Sequence, residues 1–146
     1  KVCGMGRKTE REKAFKLLYE MGIKKEEEIE FLQPYLMREG LMEGYVKDVL
    51  TLYFSHRDDI MDKIQKSSKR WDVSRMIKLD LTILKLAVTE MMYCDDIPVA
   101  VAINEAVSLS KKYSGEDSYK FINGILKQIT IDQKEEKVEL SNDSNA

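Results

Sequence analysis

Residues that interrupt helices are scarce in this chain, which has two prolines and seven glycines in 146 residues. So few breakers over this length favour helices, and no alternation of apolar and polar residues indicates strands. Long apolar runs are lacking too, and none approaches the roughly 20 residues that span a bilayer. The sequence therefore predicts an all-α protein with no membrane segment.

Cysteine and histidine are equally scarce. The two cysteines, Cys3 and Cys94, lie far apart, and His56 is the single histidine. This composition argues against a disulfide framework or a zinc site and favours a reducing compartment. No signal peptide is recognisable. We therefore expect a cytoplasmic protein with no metal site.

Catalytic motifs are also missing from the sequence. It has no GxGxxG or Walker loop and no HExxH motif, and only His56 is available as a base for a serine nucleophile. Its many carboxylates lie on charged helical faces, which are usually solvated rather than catalytic. In a short helical chain this pattern indicates a binding module, so we expect no enzyme activity and no cofactor.

What the chain has in abundance is helical periodicity. Hydrophobic residues make up 43% and charged residues 34%, and the apolar positions recur at helical spacing. They predict a bundle of seven helices, with the segment 72–93 at its centre because it is apolar on more than one side. We expect a flexible basic start over 1–8, a single helical domain over 9–132 and a disordered tail over 133–146.

The chain is weakly acidic, with a net charge of −2, but its start is basic. Residues 1–25 contain eight lysines and arginines against three glutamates, a local excess of five. Such an end on a near-neutral protein is typical of a phosphate-binding patch, although a solvated helical face explains it equally well. The basic residues are Lys1, Arg7, Lys8, Arg11, Lys13, Lys16, Lys24 and Lys25.

The last predicted helix carries an aromatic side chain that its core does not need. At about 100° per residue, Phe121 lies roughly 90° from the centre of the apolar stripe. Gly124 costs about 1 kcal/mol relative to alanine, and close approach of another chain is one reason for it. Phe121 either flanks the core or stacks on a base of single-stranded nucleic acid, with Lys120 on a phosphate and Asn123 on a base edge. The stripe comprises Ile122, Ile125, Leu126 and Ile129, and the face of Phe121 also carries Asp117, Lys120 and Gly124.

Two further side chains lie where the helical pattern does not require them. Tyr19 falls off the buried stripe of the first helix, either as a tyrosine at the edge of the bundle or as a contact with another protein. Asp80 interrupts the apolar central helix, either as a paired structural carboxylate or as a charge at an interface. The sequence pattern leaves both alternatives open.

Several segments are specific enough to suggest a family. Residues 101–107 read VAINEAV, Lys111 follows, and residues 116–126 read EDSYKFINGIL. With two more segments in the same order, they closely resemble the hallmark of the NusB family of transcription antitermination proteins, from about Arg7 to Ile131. The two segments are the basic start with Arg11, Ala14, Leu18 and Tyr19, and the stretch with Trp71, Arg75, Asp80, Ile83 to Ala87, Glu90, Ile97 and Pro98.

The resemblance implies a fold of two packed three-helix subdomains plus a connecting helix. It also implies that the protein binds the boxA element of ribosomal RNA leader transcripts. It would do so together with NusE, a small-subunit ribosomal protein that doubles as a transcription factor. The resulting RNA polymerase antitermination complex passes terminators, and this protein would contribute neither catalysis nor a cofactor.

The functional positions of the family are carried over residue by residue. Arg7, Lys8 and Arg11 match the arginine-rich start that touches RNA. Tyr19 and Asp80 match positions at the interface with NusE. The RNA-contacting segment of the family is matched by Asp117, Lys120, Phe121 and Asn123.

The sequence departs from the family pattern at a few places. Lys8 and Thr9 stand within the stretch where the family usually has consecutive arginines, which predicts weaker phosphate binding. Lys127 stands where the family often has aspartate, and Tyr119 sits at a variable place. None of these changes removes the core motif.

Two alternative functions remain. NusB-like domains also occur at the front of some ribosomal RNA methyltransferases, where they place the RNA for a separate catalytic domain. The sequence has no glycine-rich cofactor loop, so that alternative requires a further domain. The other alternative is a homodimeric interaction module in which pairing hides the RNA surface.

Overall fold

The computed structural model describes residues 8–145, which form seven α-helices, two short 3₁₀-helices and no strand. The predicted all-α class with seven helices is confirmed. The helices are α1 (Lys8–Ile23), α2 (Leu32–Glu39), α3 (Tyr45–Ser55), α4 (Arg57–Ser67), α5 (Lys78–Tyr93), α6 (Val99–Tyr113) and α7 (Glu116–Asn145), and the 3₁₀-helices are Ile29–Phe31 and Val73–Arg75.

The helices pack as two groups of three. In the first group α3 contacts both α1 and α2, and in the second group α5, α6 and α7 contact one another. α4 connects the groups and packs against α3, α5 and α7. Since α1 and α3 also pack on α5, the two groups share one core. This is the arrangement that the family resemblance implies.

α5 is the central helix, and every residue from Thr82 to Glu90 on it is buried. Its apolar side chains cover more than one side, so neighbouring helices pack around it. The helix also buries charge. Lys85 Nζ donates to Glu27 Oε1 over 2.6 Å, which compensates the cost of removing the lysine from water. This pair fixes the connection between α1 and α2 against the core.

Pro34 lies inside α2 without breaking it. The proline is the third residue of a helix that begins at Leu32, where the backbone N–H has no partner within the helix. The first turn therefore loses no hydrogen bond through the missing N–H of the proline. The predicted helix over 26–38 instead starts as the 3₁₀-helix Ile29–Phe31 and ends at Glu39.

The described residues bear on the predicted bounds at both ends of the domain. Of the flexible start predicted over 1–8, residues 1–7 lie outside the described part, and Lys8 is the first residue of α1. The predicted disordered tail is helical, because α7 continues to Asn145. No glycine or proline follows Gly124 to stop it, and Lys63 Nζ of α4 contacts Glu136 Oε1 over 2.7 Å. No helix in the described part of the chain is long and apolar enough to cross a membrane.

Candidate nucleic-acid interface

The rotation of α7 about its axis is fixed by four buried isoleucine and leucine side chains. These residues, predicted as the apolar stripe, are all buried, and their packing against α4, α5 and α6 leaves the flanks of the helix accessible. Phe121 lies on one flank and is half-buried against the core. The buried residues are Ile122, Ile125, Leu126 and Ile129.

Phe121 borders a surface groove together with Trp71, which precedes α5. The two rings meet edge to face, with centroids 5.8 Å apart and planes at 84°, a favourable geometry for aromatic pairs. The indole remains 56% exposed. The groove has a volume of about 320 Å³ and is lined by Trp71, Arg75, Met76, Ile77, Asp80, Asp117, Ser118 and Phe121. The structure thus combines aromatic stacking surface, one cation and two carboxylates in one place.

Asp80 lies buried in the wall of this groove. Ser118 Oγ donates to its Oδ2 over 3.2 Å, and its Oδ1 has no hydrogen-bond partner among the described residues. Burial raises the pKa of Asp80, against the hydroxyl hydrogen bonds that lower it. Asp80 therefore lines the same groove as Phe121 and Asp117.

None of Lys120, Asn123 and Gly124 lines the groove. Lys120 and Gly124 are exposed, and Asn123 is half-buried. At 100° per residue Asn123 points about 160° away from Phe121. A Cβ added at Gly124 would meet nothing within 4 Å. Packing within the protein therefore does not require a glycine here, and this side of α7 is open to a ligand.

The basic start lines a different cleft. Lys8 Nζ lies 3.4 Å from Glu105 Oε2, and Arg7 falls outside the described residues. The cleft lies between α1 and α6, has a volume of about 200 Å³, and shares no lining residue with the Phe121 groove. It is lined by Lys8, Arg11, Glu12, Glu105, Ser108, Leu109 and Lys112.

Arg11 does not occupy the exposed position that an RNA contact requires. Its side chain is buried, and its Nε donates to Glu90 Oε2 over 2.8 Å. Tyr45 donates its hydroxyl to the same oxygen over 2.8 Å. A guanidinium held in this way cannot reach a phosphate without leaving the core. The sequence placed Arg11 on the RNA surface, whereas the structure places it in a buried ion pair.

Tyr19 is half-buried on α1, at the end of an aromatic row. Its ring stacks on Phe15 at 6.3 Å, and Phe15 contacts Tyr113 of α6 at 5.1 Å. Tyr113 and Lys112 both donate to Glu12 and lower the pKa of that carboxyl. Tyr19 does not line the Phe121 groove, so the two predicted protein-contact residues lie apart in the structure.

The sequence interpretation gave Trp71 and Arg75 no binding role, although both border the groove. A signal was available, because Trp71 is the only tryptophan of the sequence and stands in a polar, basic stretch just before the apolar segment of α5. Within residues 8–145, no group of three or more histidine, cysteine, aspartate or glutamate side chains is placed to hold a metal ion.

These features define a class: a small all-α protein with an aromatic and charged surface groove. The NusB family model matches residues 8–130. The chain therefore belongs to the NusB family, and the resemblance inferred from its motifs is confirmed.

Curated relatives carry the name transcription antitermination protein NusB. The relative from Acetivibrio thermocellus is 47% identical over 128 residues, covering 86% of this chain and 88% of the relative. The one from Finegoldia magna is 38% identical over 125 residues, covering 84% and 91%.

Solved structures share the fold. NusB from T. maritima is 29% identical, with a TM-score of 0.74 and coverage of 86% of this chain and 90% of that chain. A chain in a structure described as a plectonemic RNA supercoil is 25% identical, with a TM-score of 0.76 and coverage of 89% and 97%.

Proposed function

We propose that this protein is an antitermination factor that binds the boxA element of ribosomal RNA leader transcripts together with NusE. It acts in the cytoplasm, within the RNA polymerase antitermination complex, by binding rather than by catalysis. The observation that carries this proposal is the half-exposed Phe121 of α7 beside an open groove, in a chain that belongs to the NusB family.

The chemistry of the surface suits single-stranded RNA. Phe121 offers a ring edge or face to a base, and exposed Lys120 offers a cation to a phosphate. Asp117 at the rim accepts hydrogen bonds from the amino group of a base. Asn123 serves as a base-edge contact only for RNA that passes around α7 to its other flank. Arg7 and Lys8 contact a further part of the same RNA, at the start of α1.

The test is a titration of labelled boxA RNA followed by fluorescence anisotropy. Phe121→Asp replaces the stacking ring with a charge that repels phosphate, so we expect at least a tenfold loss of affinity. Phe31→Asp is a matched control, because Phe31 is 38% exposed but lies on the 3₁₀-helix before α2. Far-UV circular dichroism should show that both variants keep their helicity. Unchanged RNA affinity in Phe121→Asp, or an equal loss in Phe31→Asp, contradicts the proposed site.

NusE should tighten the RNA complex. We propose that Tyr19 and Asp80 contact this partner, so Tyr19→Ala should reduce the gain from NusE without changing affinity for RNA alone. A gain that is the same in Tyr19→Ala and in the unchanged protein would remove Tyr19 from that interface. The homodimer alternative is tested by the mass of the protein in solution with and without RNA, since it predicts a dimer that RNA dissociates.

A further inference from the structure

The connection between α4 and α5 is strongly basic. Residues 69–78, which end at the first residue of α5 and which we call the basic loop, contain four cations against the single carboxylate of Asp72, a net charge of +3 in a chain of net charge −2. All four cations are exposed, and none takes part in a salt bridge among residues 8–145. Their positive charge is therefore available to an anionic ligand. The four are Lys69, Arg70, Arg75 and Lys78.

The backbone on both sides of Trp71 is held in place. Gln65 Nε2 donates to the carbonyl oxygen of Trp71 over 3.1 Å, and the N–H of Val73 donates to Gln65 Oε1 over 3.1 Å. The N–H of Trp71 donates to the carbonyl of Ser68 over 2.6 Å. The loop therefore presents its indole from a defined position, which lowers the entropic cost of binding.

The only carboxylate of the basic loop is engaged locally. Asp72 Oδ1 accepts from the backbone N–H of Ser74 over 3.0 Å, and this hydrogen bond lowers the pKa of Asp72. The carboxylate thus caps the 3₁₀-helix Val73–Arg75. Its role in shaping the loop explains an acidic residue in an otherwise cationic surface.

We propose that the basic loop is the second half of the RNA surface, in which Trp71 stacks on a base of single-stranded RNA bound at Phe121. Lys69, Arg70 and Arg75 bind the flanking phosphates. This inference rests on the proposed function. An exposed tryptophan on a loop held by hydrogen bonds, with exposed cations that form no salt bridge among residues 8–145, matches the two needs of single-stranded RNA, which are stacking and charge. Asp117 faces the groove from α7 and repels phosphate, so the phosphates lie on the loop side.

Trp71 reports directly on this contact, because it is the only tryptophan of the chain. Titration of the full chain with boxA RNA should quench its fluorescence along the same binding curve that labelled RNA gives by anisotropy. The same sequence in duplex form should quench weakly, since paired bases are not free to stack. Trp71→Ala should weaken RNA binding about tenfold, whereas Trp71→Phe should retain most of the affinity.

The phosphate contacts are tested by salt dependence. Lys69→Ala combined with Arg70→Ala should reduce the slope of log affinity against log salt by about 1.4, since each phosphate contact to a single strand contributes about 0.7. Lys134→Ala combined with Lys137→Ala, two exposed lysines of the α7 extension, should leave the slope unchanged. An unaltered slope in the loop variant overturns the phosphate contacts.

The remaining outcomes separate the two proposals. Absence of RNA binding by the unchanged protein overturns the proposed function itself. Normal RNA binding, with loss in Phe121→Asp but with unquenched Trp71 and full affinity in Trp71→Ala, overturns only the role of the basic loop. Fluorescence that responds to NusE and not to RNA also overturns it, and identifies the loop as a protein surface.

Discussion

Nε of Arg11 donates to Oε2 of Glu90 over 2.8 Å, and both side chains are only 2% exposed. The pair joins α1 to the central helix α5. Burial raises the pKa of Glu90, and the charge of Arg11 opposes that shift. Both Nη groups of Arg11 are buried without a hydrogen-bond partner among the described residues. The ion pair is thus a structural element whose two charges depend on each other.

Arg11→Met should lower the free energy of unfolding by about 3–5 kcal/mol, because it leaves the carboxylate of Glu90 buried without its cation. The double variant Arg11→Met, Glu90→Leu should recover much of that loss, since it removes both charges from the core. Urea denaturation of the unchanged protein and both variants measures this. Full stability of Arg11→Met together with loss of RNA binding would identify Arg11 as an RNA contact.

The features of this fold that could be predicted are those that depend on the local spacing of apolar residues. The buried stripe from Ile122 to Ile129 repeats every three to four residues, so the sequence alone indicated which face of α7 packs. The same reasoning could have placed Arg11 correctly, because it lies three residues before Ala14 and seven before Leu18, on the buried stripe of α1. A charged residue at a buried position of a helix indicates an ion pair in the core rather than a contact with RNA.

The groove could not be predicted in the same way. Trp71 and Phe121 are 50 positions apart in the sequence, and their ring contact depends on how α5 and α7 pack. No local pattern encodes that distance. The end of α7 was missed for a different reason. A polar composition over 133–146 resembles a disordered tail, but α4 supplies Lys63 as a partner for Glu136.

Gly124→Ala should stabilise the protein and weaken RNA binding at the same time. Alanine favours the helix by about 1 kcal/mol over glycine, and the added Cβ meets nothing within 4 Å. If RNA passes close to this face of α7, the same methyl group obstructs it. Urea denaturation and RNA anisotropy on the same sample measure both effects. Higher stability with full RNA affinity would show that the RNA does not approach Gly124.

Glu20 links stability to acid pH. It accepts from Arg38 over 2.6 and 2.9 Å and from Lys24 over 2.6 Å. These hydrogen bonds lower its pKa from 4.5 to about 2. A carboxyl with a lowered pKa contributes stability above its unfolded pKa, and this contribution is lost as pH falls from 4.5 towards 2.

We therefore expect Glu20→Gln to be less stable than the unchanged protein at pH 6, by about 1 kcal/mol or less because the site is partly exposed. The difference should narrow at pH 2.5, between the unfolded pKa of 4.5 and the folded pKa of about 2. Urea denaturation at both pH values measures the difference. Glu43→Gln is the control, because Glu43 takes part in no salt bridge among the described residues, and its stability difference should not depend on pH in this way. A constant difference for Glu20→Gln would contradict the assigned cause.

The basic start should act on RNA through charge alone. Replacing Arg7 and Lys8 by alanine should reduce the salt slope of RNA binding by up to about 1.4, with helicity unchanged. Lys8 lies 3.4 Å from Glu105, so Glu105→Gln should free its ammonium group and strengthen binding modestly at low salt. Anisotropy titrations at several salt concentrations measure both changes. An unaltered slope after the double replacement would remove the basic start from the RNA surface.

Gln65 should matter for RNA binding although it lies on α4, because its amide holds the backbone on both sides of Asp72. Gln65→Ala removes both hydrogen bonds and should cost about 1–3 kcal/mol of stability, with RNA affinity lowered severalfold as the loop becomes mobile. Gln65→Glu keeps the acceptor for Val73 but loses the donor to Trp71, so its affinity should be intermediate. The quenching of Trp71 by RNA distinguishes a positioning role from a merely structural one, since it should weaken in the same order. If both variants lost stability while quenching and affinity stayed at the level of the unchanged protein, Gln65 would hold the fold and not the indole.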